Sequence, residues 1–110
     1  DFTDMITHFI DKEEAPYLKV LMVDEAQDLT PLQWKMIYKL SQKADRIYIA
    51  GDDDQAIFEW NGAEVKNYID FPGRTYILTQ SFRLPQIIHN FSGYISSMIK
   101  PRCDVSGKAV

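Results

Sequence analysis

The stretch Lys19-Val20-Leu21-Met22-Val23-Asp24-Glu25-Ala26-Gln27-Asp28 constrains the fold more than any other part of this chain. Val20 to Val23 are consecutive apolar residues, and three carboxylates follow within five positions. That is the pattern of a short strand, buried on both faces, that ends at a polar rim. Acids at the carboxyl end of a buried parallel strand lie where open α/β sheets bind their ligands. Asp24 and Glu25 side by side suit a hard cation such as Mg²⁺ together with a base able to activate water. A second reading of the same residues is a strand that runs into a solvated acidic turn.

The remaining elements follow from periodicity and punctuation. Asp1 to Ile10 is amphipathic at helical spacing, with Phe2, Met5, Ile6, Phe9 and Ile10 on one face and Asp1 or Thr3 as the cap. Ala15-Pro16 closes that segment. Thr30 and Pro31 start a second helix, with Gln33 at the capping-box position. Leu32, Met36, Ile37 and Leu40 form its core stripe, and Lys35, Lys39 and Gln42 lie outside. Arg46 to Ala50 reads as a second strand, so strand, helix and strand imply a right-handed parallel crossover. Ala63 to Ile69 is a short helix, Asp70 to Gly73 a turn, and Thr75 to Leu78 a third strand. Pro85 opens a last helix with Ile87, Ile88, Phe91, Ile95, Met98 and Ile99 on one broad face, closed by Pro101. Tyr17, Trp34, Tyr48 and Tyr76 read as packing residues. His8 and His89 lack the spacing of metal ligands.

Length and charge narrow the class. At 110 residues the chain holds one domain at most, and the absence of an initial Met reads as a piece of a longer protein. Hydrophobic residues make up 45% and charged residues 25%, as expected of a soluble globular protein. No apolar run is long enough to cross a bilayer, and the lone Cys103 fits a reducing cytoplasm. A net charge of −4 argues against a free-standing nucleic-acid binder held by phosphate contacts. Six of the sixteen acids fall in two clusters, Asp24/Glu25/Asp28 and Asp52/Asp53/Asp54. These are either a solvated acidic face or a metal-phosphate site, since clustered acids repel unless a cation lies near.

Gly51-Asp52-Asp53-Asp54-Gln55-Ala56-Ile57-Phe58-Glu59-Trp60-Asn61-Gly62-Ala63 is the most specific run. A glycine turn, three acids, an amide and two aromatics spaced by two are an odd composition for an ordinary loop. With Asp24-Glu25-Ala26-Gln27-Asp28 as Walker B, this run resembles motif III of the UvrD/Rep-type superfamily 1 helicases. Leu78-Thr79-Gln80-Ser81-Phe82-Arg83 resembles motif IV, and Phe2 to Ile6 the helix before Walker B. The resemblance implies an α/β fold, a partial RecA-like (P-loop NTPase) parallel sheet with flanking helices. On this expectation residues 1–102 are the later part of one motor domain, and 103–110 lead into the next.

What the resemblance implies for single residues is specific. Asp24 would hold Mg²⁺ and Glu25 would orient or deprotonate the attacking water. Gln55 would sense the γ-phosphate of ATP, Arg83 would stabilise transition-state charge, and Phe82 would stack on adenine. Phe58 and Trp60 would be platforms for single-stranded DNA bases, at about 1–3 kcal/mol per base. Gln27 and Asp28 would hydrogen-bond behind the reacting groups and link this loop to motif III, or simply form a turn and cap before Thr30. Asn61 departs from the basic residue common there, which removes a phosphate or backbone contact.

No G-x-x-x-x-G-K-[ST] phosphate loop occurs in the chain. The expected activity is therefore that of a parent enzyme, an ATP-dependent DNA helicase moving 3′→5′ with its remaining domains, while this piece alone is inactive. Without the phosphate-loop strand, the second strand is expected to have a free edge. It would then self-associate, exchange strands, or take Thr75 to Leu78 into the vacancy. Two other classes stay open: a carboxylate metal-dependent nuclease, and a non-catalytic helicase-like module for protein contacts.

Overall fold

The computed structural model describes residues 1–57, 62–78, 82 and 84–98. The chain divides into two compact units, Asp1–Asp70 and Phe71–Val110. In the first, helix α1 (Phe2–Lys12) leads to strand β1 (Leu18–Val23), helix α2 (Pro31–Ser41), strand β2 (Ala44–Ile49) and the short helix α3 (Val65–Ile69). β1 and β2 pair in parallel with Val20 opposite Arg46 and Val23 opposite Ile49. The architecture is α/β, a two-stranded parallel sheet with helices.

Local chemistry sets the helix starts. Asp1 caps α1, its Oδ1 accepting from Asp4 N at 2.9 Å. Thr30 and Gln33 form the capping box of α2: Thr30 N donates to Gln33 Oε1 at 2.8 Å and Gln33 N to Thr30 Oγ1 at 3.4 Å. Pro31 occupies the first turn, where its missing N–H costs nothing. α2 packs on α1 and on both strands. The core holds Ile6, Ala15, Ala26, Trp34, Ile37 and Val65, with Trp34 only 1% exposed. Lys39, expected outside, is half-buried: its Nζ donates to Phe9 O and Ile10 O at 3.0 and 2.5 Å and lies over the Phe9 ring. It thereby satisfies carbonyls near the end of α1 and ties the two helices together.

Several expectations need correction. β1 is not buried on both faces. Leu21, Val23, Ile47 and Ile49 are half-buried, whereas Val20, Met22 and Tyr48 are exposed, Met22 at 77%. α2 packs on this sheet and the exposed face carries no cover among the described residues. Phe2 and Met5 of α1 are exposed too, because α2 reaches only the Ile6, Phe9 and Ile10 part of the stripe. Thr75 to Leu78 is not a strand: it has no ladder partner among the described residues, and Tyr76, Ile77 and Leu78 are exposed. β-Branched and aromatic residues favour an extended backbone, but a strand exists only where a neighbour completes its hydrogen bonds. The expectation that it fills the place beside β2 therefore fails.

The described part of the second unit contains one helix, α4 (Gln86–Ser96), with Pro85 at its start. Ile87, Ile88, Phe91, Ile95 and Met98 are exposed, since that part holds no second element to cover them. Ile99, Pro101 and Cys103 lie outside the described residues.

Of the four presumed packing aromatics, Trp34 alone is buried. The exposed Tyr17 hydroxyl donates to Asp45 Oδ2. That hydrogen bond, with a smaller desolvation effect, raises the phenol pKa above its usual 10.0. A pKa raised on folding stabilises fully below the unfolded value and loses its contribution as pH rises through the folded one. The stability gap between the wild type and Tyr17→Phe should thus narrow as pH climbs above 10.0 in urea titrations. A constant gap would remove the hydrogen bond from the account.

Candidate functional site

Because β1 and β2 are parallel, their carboxyl ends open on one rim, and acids follow both. On the β1 side, Asp24 Oδ1 accepts from Glu25 N at 2.9 Å. Glu25 then takes φ 51° and ψ 42°, left-handed geometry that costs a side-chain-bearing residue about 1–2 kcal/mol. The 3₁₀ turn Ala26–Asp28 follows, anchored by the wholly buried Ala26, whose N–H donates to Ala50 O at 3.0 Å. Strain at one residue of such a turn persists where its surroundings over-determine it, which is common at functional sites.

Gln27 is 1% exposed, and its amide is used at both ends. Nε2 donates to Glu25 Oε2 at 2.8 Å, while Oε1 accepts from Asp52 N at 3.0 Å. On the β2 side, Asp52 caps the 3₁₀ turn Asp53–Gln55. Its Oδ1 accepts from Asp54 N at 3.1 Å and its Oδ2 from Gln55 Nε2 at 2.5 Å. Gly51 is required by close approach, since a Cβ there would sit 2.6 Å from Gln27 Oε1 and 3.2 Å from Ala26 N. α3 braces both turns: Tyr68 Oη donates to Gly51 O at 2.8 Å, and Glu64 N donates to Leu29 O at 3.0 Å.

The two turns enclose an open cleft of about 400 Å³ lined by Glu25, Gln27, Asp28, Asp54, Gln55 and Ile57. Glu25 and Gln55, expected from the sequence to act together, both line it, and Asp24 is exposed at the adjoining strand end. Phe82 belongs to the second unit and is 89% exposed. Arg83, Phe58, Trp60 and Asn61 lie outside the described residues. Residue-type reasoning placed Asp52 in an acidic cluster but passed over it as a cap, although an acid two residues before Asp54 is a recognisable turn-capping pattern. Gly51 reads from the sequence as the turn after the second strand, and its close approach to Gln27 is not foreseen there.

The donor set fits Mg²⁺. This ion binds through one or two carboxylates and keeps waters or substrate phosphate oxygens for its other positions. Among the described residues Asp24 Oδ2 has no hydrogen-bond partner, and Asp28 Oδ1, on the cleft wall, is buried without one. No group of three or more potential metal ligands exists among the described residues.

A parallel strand pair flanked by helices, with acids after both strands, is consistent with a helicase N-terminal domain. The sequence profile described as UvrD/REP helicase N-terminal domain matches residues 4–75, and the chain belongs to that family. Its relatives include the ATP-dependent DNA helicase Rep of Buchnera aphidicola, 41% identical over 71 residues, covering 60% of this chain and 11% of that protein. DNA helicase II of Escherichia coli is 41% identical over 68 residues, 57% of this chain and 9% of that one. The ATP-dependent DNA helicase PcrA of Leuconostoc citreum is 32% identical over 102 residues, 80% of this chain and 14% of its own. The chain thus spans about a tenth of the length of these relatives. No helix among the described residues is long and apolar enough to cross a membrane.

Proposed function

We propose that this chain is the Walker B to motif IV segment of a RecA-like motor domain in a cytoplasmic ATP-dependent DNA helicase. The observation that carries the reading is that parallel strands place Glu25 and Gln55 on one cleft beside Asp24. Glu25 is the group that orients or deprotonates the attacking water, and Gln55 reports the γ-phosphate through a neutral amide. Asp24 holds Mg²⁺, with Asp28 as a further acceptor on the same wall. When bound, the ion neutralises phosphate charge that this acidic rim would otherwise repel. Arg83 supplies transition-state charge stabilisation, Phe82 stacks on adenine, and Phe58 and Trp60 stack on single-stranded DNA. Phosphate-loop contacts come from the earlier part of the same motor domain and most basic DNA contacts from the remaining domains, and the free edge of β2 is open to self-association in the absence of the phosphate-loop strand.

The test uses the full-length protein. Magnesium-dependent ATP turnover stimulated by single-stranded DNA, and unwinding of a duplex with a 3′ overhang in preference to a 5′ one, are expected. Asp24→Asn should abolish both, and the 110-residue chain by itself should show neither. Divalent-ion-dependent DNA cleavage lost with Asp24→Asn would make the site a nuclease instead. A full-length protein with neither turnover nor cleavage would leave a module for protein contacts.

A further inference from the structure

We infer that Gln27 is a positioning residue that joins the two halves of the cleft through a continuous hydrogen-bond relay. The relay runs from Glu25 Oε2 to Gln27 Nε2 at 2.8 Å and from Gln27 Oε1 to Asp52 N at 3.0 Å. It continues from Asp52 Oδ2 to Gln55 Nε2 at 2.5 Å. Glu25 and Gln55 are thereby coupled through two residues that need not touch the nucleotide. The inference rests on the reading of the cleft as an ATP-hydrolysis site.

The chemistry of the link is specific to an amide. One end faces a carboxylate and must donate; the other faces a backbone N–H and must accept. Turning the amide over would set oxygen against carboxylate and NH₂ against N–H, so its orientation is determined by its neighbours. A glutamate of the same shape would keep the bond to Asp52 N but set a second carboxylate against Glu25. Methionine, of similar length, would lose both bonds. Burial strengthens the constraint, because a side chain 1% exposed has no water to replace a lost partner.

Gly51 supports the assignment from the opposite strand. A Cβ there would stand 2.6 Å from Gln27 Oε1, so the β2 exit admits the amide only while residue 51 lacks a side chain. Glu25 adds a second reason for the relay. Its backbone is in the left-handed region, and the Gln27 bond holds the carboxylate of this strained residue in one place. Displacement of Glu25 or of Gln55 by substrate is then transmitted to the other through Gln27 and Asp52. Gln55 precedes Trp60 by five residues in the run that carries the proposed base platforms Phe58 and Trp60, so the relay connects hydrolysis to that loop.

The experiment measures DNA-stimulated ATP turnover of the full-length protein with Gln27→Met, Gln27→Glu and Gly51→Ala. Active-site titration and thermal unfolding are run on the same preparations. Gln27→Met should lower kcat about 10–100-fold, the usual cost of removing an outer partner of a reacting group, with KM for ATP within about threefold of wild type. Gln27→Glu should fall at least as far, and Gly51→Ala should fall in kcat because it displaces the same amide. Wild-type kcat per folded molecule in Gln27→Met overturns the inference. If that variant does not fold, wild-type kcat in the isosteric Gln27→Glu does so instead. A loss confined to KM, or one that follows the unfolded fraction, also overturns it. Absence of turnover in the wild type itself removes the hydrolysis reading and the relay with it, an outcome distinct from a wild type that turns over beside an undiminished Gln27→Met.

Discussion

Glu25→Gln in the full-length protein is expected to lower DNA-stimulated ATP turnover by a factor of about 10²–10⁴ while ATP binding stays near wild type. The substitution keeps shape and the capacity to accept from Gln27 Nε2, but removes the basicity that water activation requires. Steady-state turnover with a parallel binding measurement using a non-hydrolysable ATP analogue checks it. Retention of more than about a tenth of wild-type kcat would exclude Glu25 as the base, since positioned proton transfer is worth more than that. The same position separates function from stability. Glu25 occupies left-handed backbone, so Glu25→Gly should be more stable than Glu25→Ala by about 1–2 kcal/mol, though both are inactive.

Trp34→Ala is expected to cost about 3–5 kcal/mol, the range for truncating a buried large aromatic. Trp34 is 1% exposed and belongs to α2, the helix that packs on α1 and on both strands. A unit of this size has about 4–10 kcal/mol of stability in all, so the variant should lose most of its cooperative unfolding transition. Urea titration followed by far-ultraviolet circular dichroism reads the effect without depending on tryptophan emission. Met22→Ala on the exposed sheet face is the matched comparison and should stay within about 0.5 kcal/mol. A Met22→Ala cost as large as that of Trp34→Ala would mean that the outer face of the sheet is covered after all.

Much of the site was legible because its signals are local. The turn after β1, the Thr30–Gln33 capping box and the acids at both strand ends depend on residues a few positions apart. The pairing of Glu25 with Gln55 on one cleft also followed, since two parallel strands joined by a helix must end at the same rim. Asp52 as the cap that holds Gln55 was missed because three consecutive acids, Asp52 to Asp54, look alike in a residue-type reading.

The order of helices and strands from α1 to α3, the starts of α1 and α2, and the meeting of the acidic ends are consequences of the sequence alone. They arise from periodicity, capping and crossover geometry, each acting over short spans. Tertiary structure decided the rest. Periodicity marks which side of an element is apolar but not whether anything lies upon it, so Val20, Met22, Tyr48 and the α4 stripe are exposed where burial was expected. An extended run becomes a strand only beside a partner, which Thr75 to Leu78 does not have among the described residues. The buried amide of Gln27 joins Glu25 to Asp52, which lies 25 positions beyond Gln27, and only a folded chain brings its donor and acceptor to their separate partners.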